Sequence, residues 1–322
     1  MSGIATLPDA PRIALIAMAA GLASPDDVRP LTHGTSSAAW RVESGRRFYV
    51  VRHALPAAAV PPRYQAESAI FYALYPLDAR APERIATNID AELDPFEGRL
   101  PWAVDRMLPG AAPGVGDVDA TIARDLGVFL GALHTLPSTD AGPVMDEHPG
   151  IVGSEVSFED AALGRWKDPW PFDGRPLMEH AAAKHAQSVM GALAALRDPL
   201  LAIAAVDERA VLHGDLTTNN LLVRDGRLSG VVDFGDAWIS SPGWDLASFV
   251  HHHGFELLPS LVEGYCADPE VRTHRAREAT LLAVVIALHR LSRAAAEKDG
   301  ARLKWALERL TAATTRAREV IG

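Results

Sequence analysis

Apolar residues follow two rhythms along this chain, and the change from one to the other divides it. Up to residue 108 the strongest pattern is short runs of aromatic and β-branched residues. Ala39-Trp40-Arg41-Val42, Phe48 to Arg52 (FYVVR) and the stretch 100–108 (LPWAVDRML) predict strands. Two helices are predicted among them. Residues 13–23 (IALIAMAAGLA) form a short packing helix. Residues 63–74, behind Pro61-Pro62, repeat Ala66, Ile70, Phe71 and Leu74 at helical spacing. Beyond residue 120 the period is mostly helical. Residues 121–136 carry Ile122, Leu126, Phe129, Leu130 and Leu133 on one stripe, and further helices are predicted over 177–196, 273–296 and 301–320.

The helical rhythm breaks once, between residues 210 and 232. Three apolar runs of β type lie there, at 210–212, 221–223 and 228–232, the last two joined by Asp225-Gly226. An Asp-Gly pair between apolar runs predicts a hairpin. Polar residues therefore collect at strand ends, with Asp215 and Asn220 after the first strand and Asp233 directly after the third. Phosphoryl transfer needs these residue types. A carboxylate must orient and deprotonate the attacking hydroxyl, and hard oxygen ligands must hold Mg²⁺. Asp215 suits the first task, Asn220 and Asp233 the second.

The order H-G-D-x-x-x-x-N, hairpin, D-F-G resembles the aminoglycoside phosphotransferase and choline kinase-like family, which shares its fold with the protein kinases. His213-Gly214-Asp215 and Asn220 match that family's catalytic loop, Asp233-Phe234-Gly235-Asp236 its metal-binding turn, and Trp244-Asp245-Leu246-Ala247 the element that follows. Thr217-Thr218-Asn219 departs from the family's commoner filler. The resemblance implies an α+β, protein-kinase-like bilobal fold, with a small β-rich N-terminal lobe (1–110) that binds nucleotide. A larger helical C-terminal lobe (111–322) would carry catalysis and the acceptor site. It also implies ATP or GTP as phosphoryl donor, Mg²⁺ on Asn220 and Asp233, Asp215 as catalytic base, and Asp245 as a structural partner of the loop.

The same resemblance assigns the nucleotide side. Arg52 stands where the kinase fold has a strand lysine, and Glu67 where a helix glutamate pairs with it. Backbone groups at Arg106, Met107 and Leu108 would meet the base, with a hinge near Pro109-Gly110. Adenine and guanine are not distinguished. The hydroxyl-rich turn Thr35-Ser36-Ser37 has the chemistry to cradle phosphate oxygens, and it is also ordinary turn chemistry. On the acceptor side the resemblance points to Asp236 and Trp238. The irregular stretch 138–176 holds acids (Asp146 among them) and Trp166, Trp170 and Phe172. Aromatics beside acids either bind sugars and amines or seal a loop onto the core; Trp170 is the candidate substrate residue there. His134 is expected as a packing or capping residue. His251-His252-His253 lacks the i, i+4 spacing of helical metal sites, which favours a structural or acceptor-lining role.

Composition narrows the partners. Over 322 residues the net charge is −10, which argues against nucleic acid as a partner. The lone Cys266 excludes an intrachain disulfide and fits a cytoplasmic enzyme. No apolar run reads as a membrane span, and the expected state is a monomer or homodimer. The expected function is a small-molecule kinase acting on a substrate hydroxyl, with an antibiotic first and a metabolic alcohol, amino alcohol or sugar as the alternative. A non-catalytic nucleotide-binding module and a protein kinase come after these; no A-P-E segment follows D-F-G.

Overall fold

The computed structural model describes residues 9–34, 36–56, 58, 61–88, 100–114, 116–146, 150–154, 171–172, 175–176, 184–185, 187–206 and 208–321. Thr35 and Trp170 lie outside the described residues.

The N-terminal region is a five-stranded antiparallel sheet. Its strands are β1 (Asp27–His33), β2 (Ser37–Ser44), β3 (Arg47–Ala54), β4 (Arg84–Thr87) and β5 (Trp102–Arg106), in the order β1-β2-β3-β5-β4. Alternation decides the faces of β2, where Ala38, Trp40 and Val42 point inward. Helix α1 (Ala10–Ala19) lays Ile13, Ile16 and Ala17 onto that face, with Asp9 as its N-cap. The helix starts and ends earlier than the apolar run 13–23 predicts, because the cap and Pro11 fix its start. Strand β4 has no counterpart in the sequence pattern. Arg84 and Thr87, two of its four residues, are polar yet buried.

Helix α2 (Tyr64–Leu74) crosses from one core to the other. Ala66, Ile70, Phe71 and Leu74 belong to the large C-terminal core, and Glu67 of the same helix reaches toward the sheet. Its first amides have a partner from far along the chain. Asp146 Oδ1 accepts from Gln65 N at 2.7 Å and Ala66 N at 2.9 Å, so this acid of the irregular stretch serves as a helix cap.

The C-terminal region is helical around three small sheets. Helix α3 (Ala120–Leu133) is capped by Asp119 and buries its predicted stripe. Short strands β6 (Gly142–Pro143), β7 (Pro171–Phe172) and β8 (Arg175–Pro176) follow. The helix expected over 177–196 is not continuous within the described residues. A 3₁₀ turn, Gln187–Val189, leads into α4 (Met190–Ala195) and α5 (Arg197–Ala205). Strands β9 (Ala210–Leu212), β10 (Leu221–Arg224), β11 (Arg227–Val231) and β12 (Trp238–Ser240) come next, with the predicted Asp225-Gly226 hairpin between β10 and β11. Helices α6 (Gly243–His253), α7 (Leu258–Tyr265), α8 (Pro269–Glu297) and α9 (Gly300–Ile321) complete the fold. Helix α8 has the length and apolar content to cross a membrane, but two-thirds of its apolar window is buried inside the protein. It is the central core helix, packed on α6, α7 and α9.

Candidate active site

Strand pairing brings the two motif loops together. Trp238 and Ile239 of β12 pair with Leu212 and Val211 of β9. The segment leaving β9 (His213-Gly214-Asp215) and the segment entering β12 (Asp233 to Asp236) therefore emerge side by side. Gly214 makes this approach possible: its φ is +87°, and a Cβ there would collide with the Asp236 carbonyl oxygen.

His213 and Asp245 hold the loop from below. His213 is fully buried; its Nδ1 accepts from Asp215 N at 3.2 Å and its Nε2 donates to Val232 O at 2.9 Å. It thus ties the Asp215 loop to the residue before Asp233. Asp245, on α6, accepts from His213 N and Gly214 N, both at 2.8 Å, and from His134 Nε2 at 3.2 Å. Burial alone would push its carboxyl up. The His134 hydrogen bond, His134 and His213, and the Gly214 amide outweigh that and hold it below the usual carboxylate range. Asp245 is a structural partner of the loop, as its motif position suggests. His134 caps α3 and lies 3.0 Å from the Tyr265 hydroxyl.

Asp215 stands half-buried on top of this support. Its own carbonyl accepts from Asn220 Nδ2 at 2.8 Å, and its Oδ2 lies 3.4 Å from the same nitrogen. That bond turns the amide oxygen of Asn220 away from Asp215. Val232 N donates to Asn220 O at 2.9 Å, so Asn220 sits beside the start of the D-F-G turn. Asp233 is exposed in the left-handed region at φ +65°, while Phe234 is buried against Phe71, Phe129 and His213. An amide oxygen and an exposed carboxylate side by side form a hard, incomplete donor set. Mg²⁺ accepts such a set, since it takes its remaining ligands from phosphate and water. No group of three or more His, Cys, Asp or Glu side chains with metal-holding geometry occurs among the described residues.

A family model described as "Phosphotransferase enzyme family" matches residues 27–281. The chain belongs to the phosphotransferase enzyme family. No curated protein sequence matches it. Solved structures share its fold. Aminoglycoside phosphotransferase APH(4)-Ia, as a thermostable mutant in a ternary complex with ADP and hygromycin B, is 19% identical with TM-score 0.63, covering 94% of this chain and 98% of that one. Macrolide 2'-phosphotransferase MphH from Brachybacterium faecium is 18% identical with TM-score 0.54, covering 94% and 97%. APH(2")-IIa in complex with gentamicin is 17% identical with TM-score 0.55, covering 95% and 97%.

In the N-terminal sheet of this phosphotransferase, the expected Arg52–Glu67 pair is formed. Arg52 Nη1 donates to Glu67 Oε1 at 3.0 Å, and Nη2 donates to Glu67 Oε2 and, at 3.1 Å, to Asp105 Oδ2. Sequence reasoning missed the second half of the cluster. Arg84 is fully buried and donates to Glu67 Oε2 at 2.9 Å and Asp105 Oδ1 at 2.5 Å. Two arginines and two carboxylates therefore balance. Burial would lower the Arg52 pKa, but Glu67 and Asp105 raise it well above the ordinary value, so it stays charged. Arg52 also lies 5.0 Å over the Tyr64 ring. The signal available in sequence was a charge pair, Arg84 and Asp105, on β-type residues of neighbouring strands.

The Ser37 carbonyl closes the β1–β2 turn by accepting from Gly34 N, and the Ser36 carbonyl accepts from Leu55 N just past β3, each at 2.8 Å. At the predicted hinge the amides of Arg106 and Met107 donate to Glu83 O and Phe48 O. Those two N–H groups are engaged within the fold. The base-binding assignment narrows to the carbonyls there and to Leu108. The following segment lies on the β10–β11 hairpin, where Ser229 Oγ donates to Pro109 O at 2.6 Å and Ala111 pairs with Val223. Asp236 is exposed beside Gly214, and Trp238 packs edge-on against Trp244 with centroids 4.9 Å apart. The three histidines diverge around helix α6: His251 and His252 contact Trp305, and His253 lies against Phe249.

Proposed function

We propose that this phosphotransferase moves the γ-phosphoryl of ATP or GTP onto a hydroxyl of a small molecule, with an antibiotic as the first acceptor class. The observation that supports it most is the placement of Asp215. It projects from a loop fixed by His213, Asp245 and Asn220, beside an exposed Asp233 on the neighbouring turn. The proteins that share its fold include aminoglycoside phosphotransferases and a macrolide 2'-phosphotransferase, which favours an antibiotic over a metabolite.

In this mechanism the acceptor O–H meets Asp215, which takes the proton. The acceptor oxygen forms a bond to the γ-phosphorus as the bond to the β-phosphate oxygen breaks, and the electron pair leaves with the nucleoside diphosphate. Asn220 and Asp233 would hold Mg²⁺, which when bound neutralises charge between the phosphates. Arg52, oriented by Glu67, and the 35–37 turn would hold the phosphate chain. The base would meet the segment 106–108, between an N-terminal lobe over 1–110 and a C-terminal lobe over 111–322. Localisation in the cytoplasm follows from the nucleotide requirement.

The test is a phosphoryl-transfer screen. ATP or GTP with Mg²⁺ and a panel of aminoglycosides, macrolides, nucleoside antibiotics, choline, homoserine and sugars is read by product mass, with D215A alongside. A phosphorylated antibiotic that disappears with D215A is the expected result. A phosphorylated metabolite instead would move the acceptor class, and transfer retained by D215A would remove Asp215 as base.

A further inference from the structure

The catalytic loop has no cation of its own. Leu216, Thr217, Thr218 and Asn219 stand between Asp215 and Asn220. A cation reaches Asp215 from elsewhere: Arg290, on helix α8, donates from Nη2 to Asp215 Oδ1 at 2.6 Å across 75 residues of sequence. We propose that Arg290 is the positioning residue for the catalytic carboxylate, a role that rests on Asp215 being the base.

Three observations carry this. First, the two carboxylate oxygens are treated differently. Oδ1 has a short charge-assisted bond to the guanidinium, whereas among the described residues Oδ2 has only the long 3.4 Å approach of an Asn220 nitrogen already bonded to the Asp215 carbonyl. The arrangement leaves Oδ2 as the oxygen that receives the acceptor proton. Second, Arg290 is firmly mounted. Leu288 and Leu291, on either side of it, are fully buried in the large core. Third, among the described residues Arg290 is paired with one anion, Asp215. The nearby side chains are His251 and His252, which burial and the Arg290 charge hold neutral.

The pair is too exposed to be a stability element, at 29% and 25% exposure for Arg290 and Asp215. Its effect is geometric. A guanidinium on Oδ1 restricts rotation of the carboxylate about its Cβ–Cγ bond, so that Oδ2 faces the acceptor hydroxyl before it arrives. Misplacing a reacting group by an ångström costs on the order of 100-fold.

The experiment compares wild type, D215N, R290M, R290A and R290K in Mg²⁺-ATP and Mg²⁺-GTP turnover, with the acceptor panel and with water alone as acceptor. The expected result is a fall in kcat of roughly 10- to 100-fold for R290M and R290A with the nucleotide KM unchanged. R290K should recover part of it, since lysine keeps the charge but not the fork. Guanidinium ion added at millimolar concentration should raise turnover of R290A and not of D215N, which a merely structural role would not produce. Asp215-dependent turnover that R290A leaves unchanged or raises, or that falls without guanidinium rescue, overturns the proposal alone. An inactive wild type, or turnover that D215N retains, overturns the base assignment beneath it.

Discussion

Arg52 and Glu67 join two separately packed halves of the molecule: Arg52 projects from a strand of the N-terminal sheet, and Glu67 from a helix whose apolar face belongs to the C-terminal core. Their contact is nearly dry, with Glu67 1% and Arg52 15% exposed. Removing one carboxylate from this cluster leaves Arg52 and Arg84 sharing Asp105. Breaking a buried pair of this kind costs about 3–5 kcal/mol. E67A should therefore lower unfolding free energy by about that amount in denaturant titration and also raise the nucleotide KM. E67A that kept wild-type stability would mean the cluster relaxes around Asp105 alone.

Gly214 is a position where backbone geometry sets the placement of the Asp215 loop. A side chain there meets both an unfavourable φ of +87° and the Asp236 carbonyl. G214A should lose about 1–3 kcal/mol of stability from backbone strain. Turnover should fall further than stability, because the displaced loop carries Asp215. Parallel kcat and melting measurements separate the two effects, and an active G214A would show that the loops need not touch.

Much of this site was legible because its chemistry is local in sequence. Asp215 and Asn220 lie five residues apart on one loop, and Asp233 follows a hairpin marked by Asp225-Gly226. Arg52–Glu67 was legible only through family resemblance. Arg84, Asp146 and Arg290 were not, since each finds its partner across the fold: Asp105 on an adjoining strand, the amides of Gln65 and Ala66, and Asp215. No periodicity encodes such partners. The one trace Arg290 leaves is a charge set within an apolar stretch, between buried Leu288 and Leu291. The continuous helix expected over 177–196 failed for a different reason: the polar Gln187 and Ser188 interrupt a run that alanine richness makes look continuous.

Asp245 should contribute to the acid limb of stability. Its carboxyl is held below its unfolded value, so the unfolded chain takes up the proton first as pH falls. Its contribution is complete above the unfolded aspartate pKa of about 3.9 and is lost as pH falls through the folded value. D245N should be less stable near pH 7, because the amide cannot accept from His213 N, Gly214 N and His134 together. It should also lose stability less steeply below about pH 4. Equal slopes for the two proteins would show that Asp245 is not the group titrating.

A second acid sensitivity begins at higher pH, at the histidines of α6. Burial, then the charge of Arg290, His253 and Arg309, bring His252 down to about 3; burial, against a hydrogen bond that His253 donates to the Leu216 carbonyl, brings His253 down to about 4. Both are neutral in the folded protein at neutral pH, with Nε2 atoms buried and lacking a hydrogen-bond partner among the described residues. The unfolded chain protonates them near pH 6.5, so their contribution is complete above that value and is lost as pH falls toward 3–4. Each can add at most about 1.4 kcal/mol per pH unit to the slope in that window. H252Q keeps a neutral side chain and removes one titration. Its denaturation midpoint should fall less between pH 6.5 and 4 than that of wild type. A wild-type curve flat from pH 6.5 to 4 would place both histidines in water, and their contacts with Trp305 and Phe249 would then have to open before acid unfolding begins.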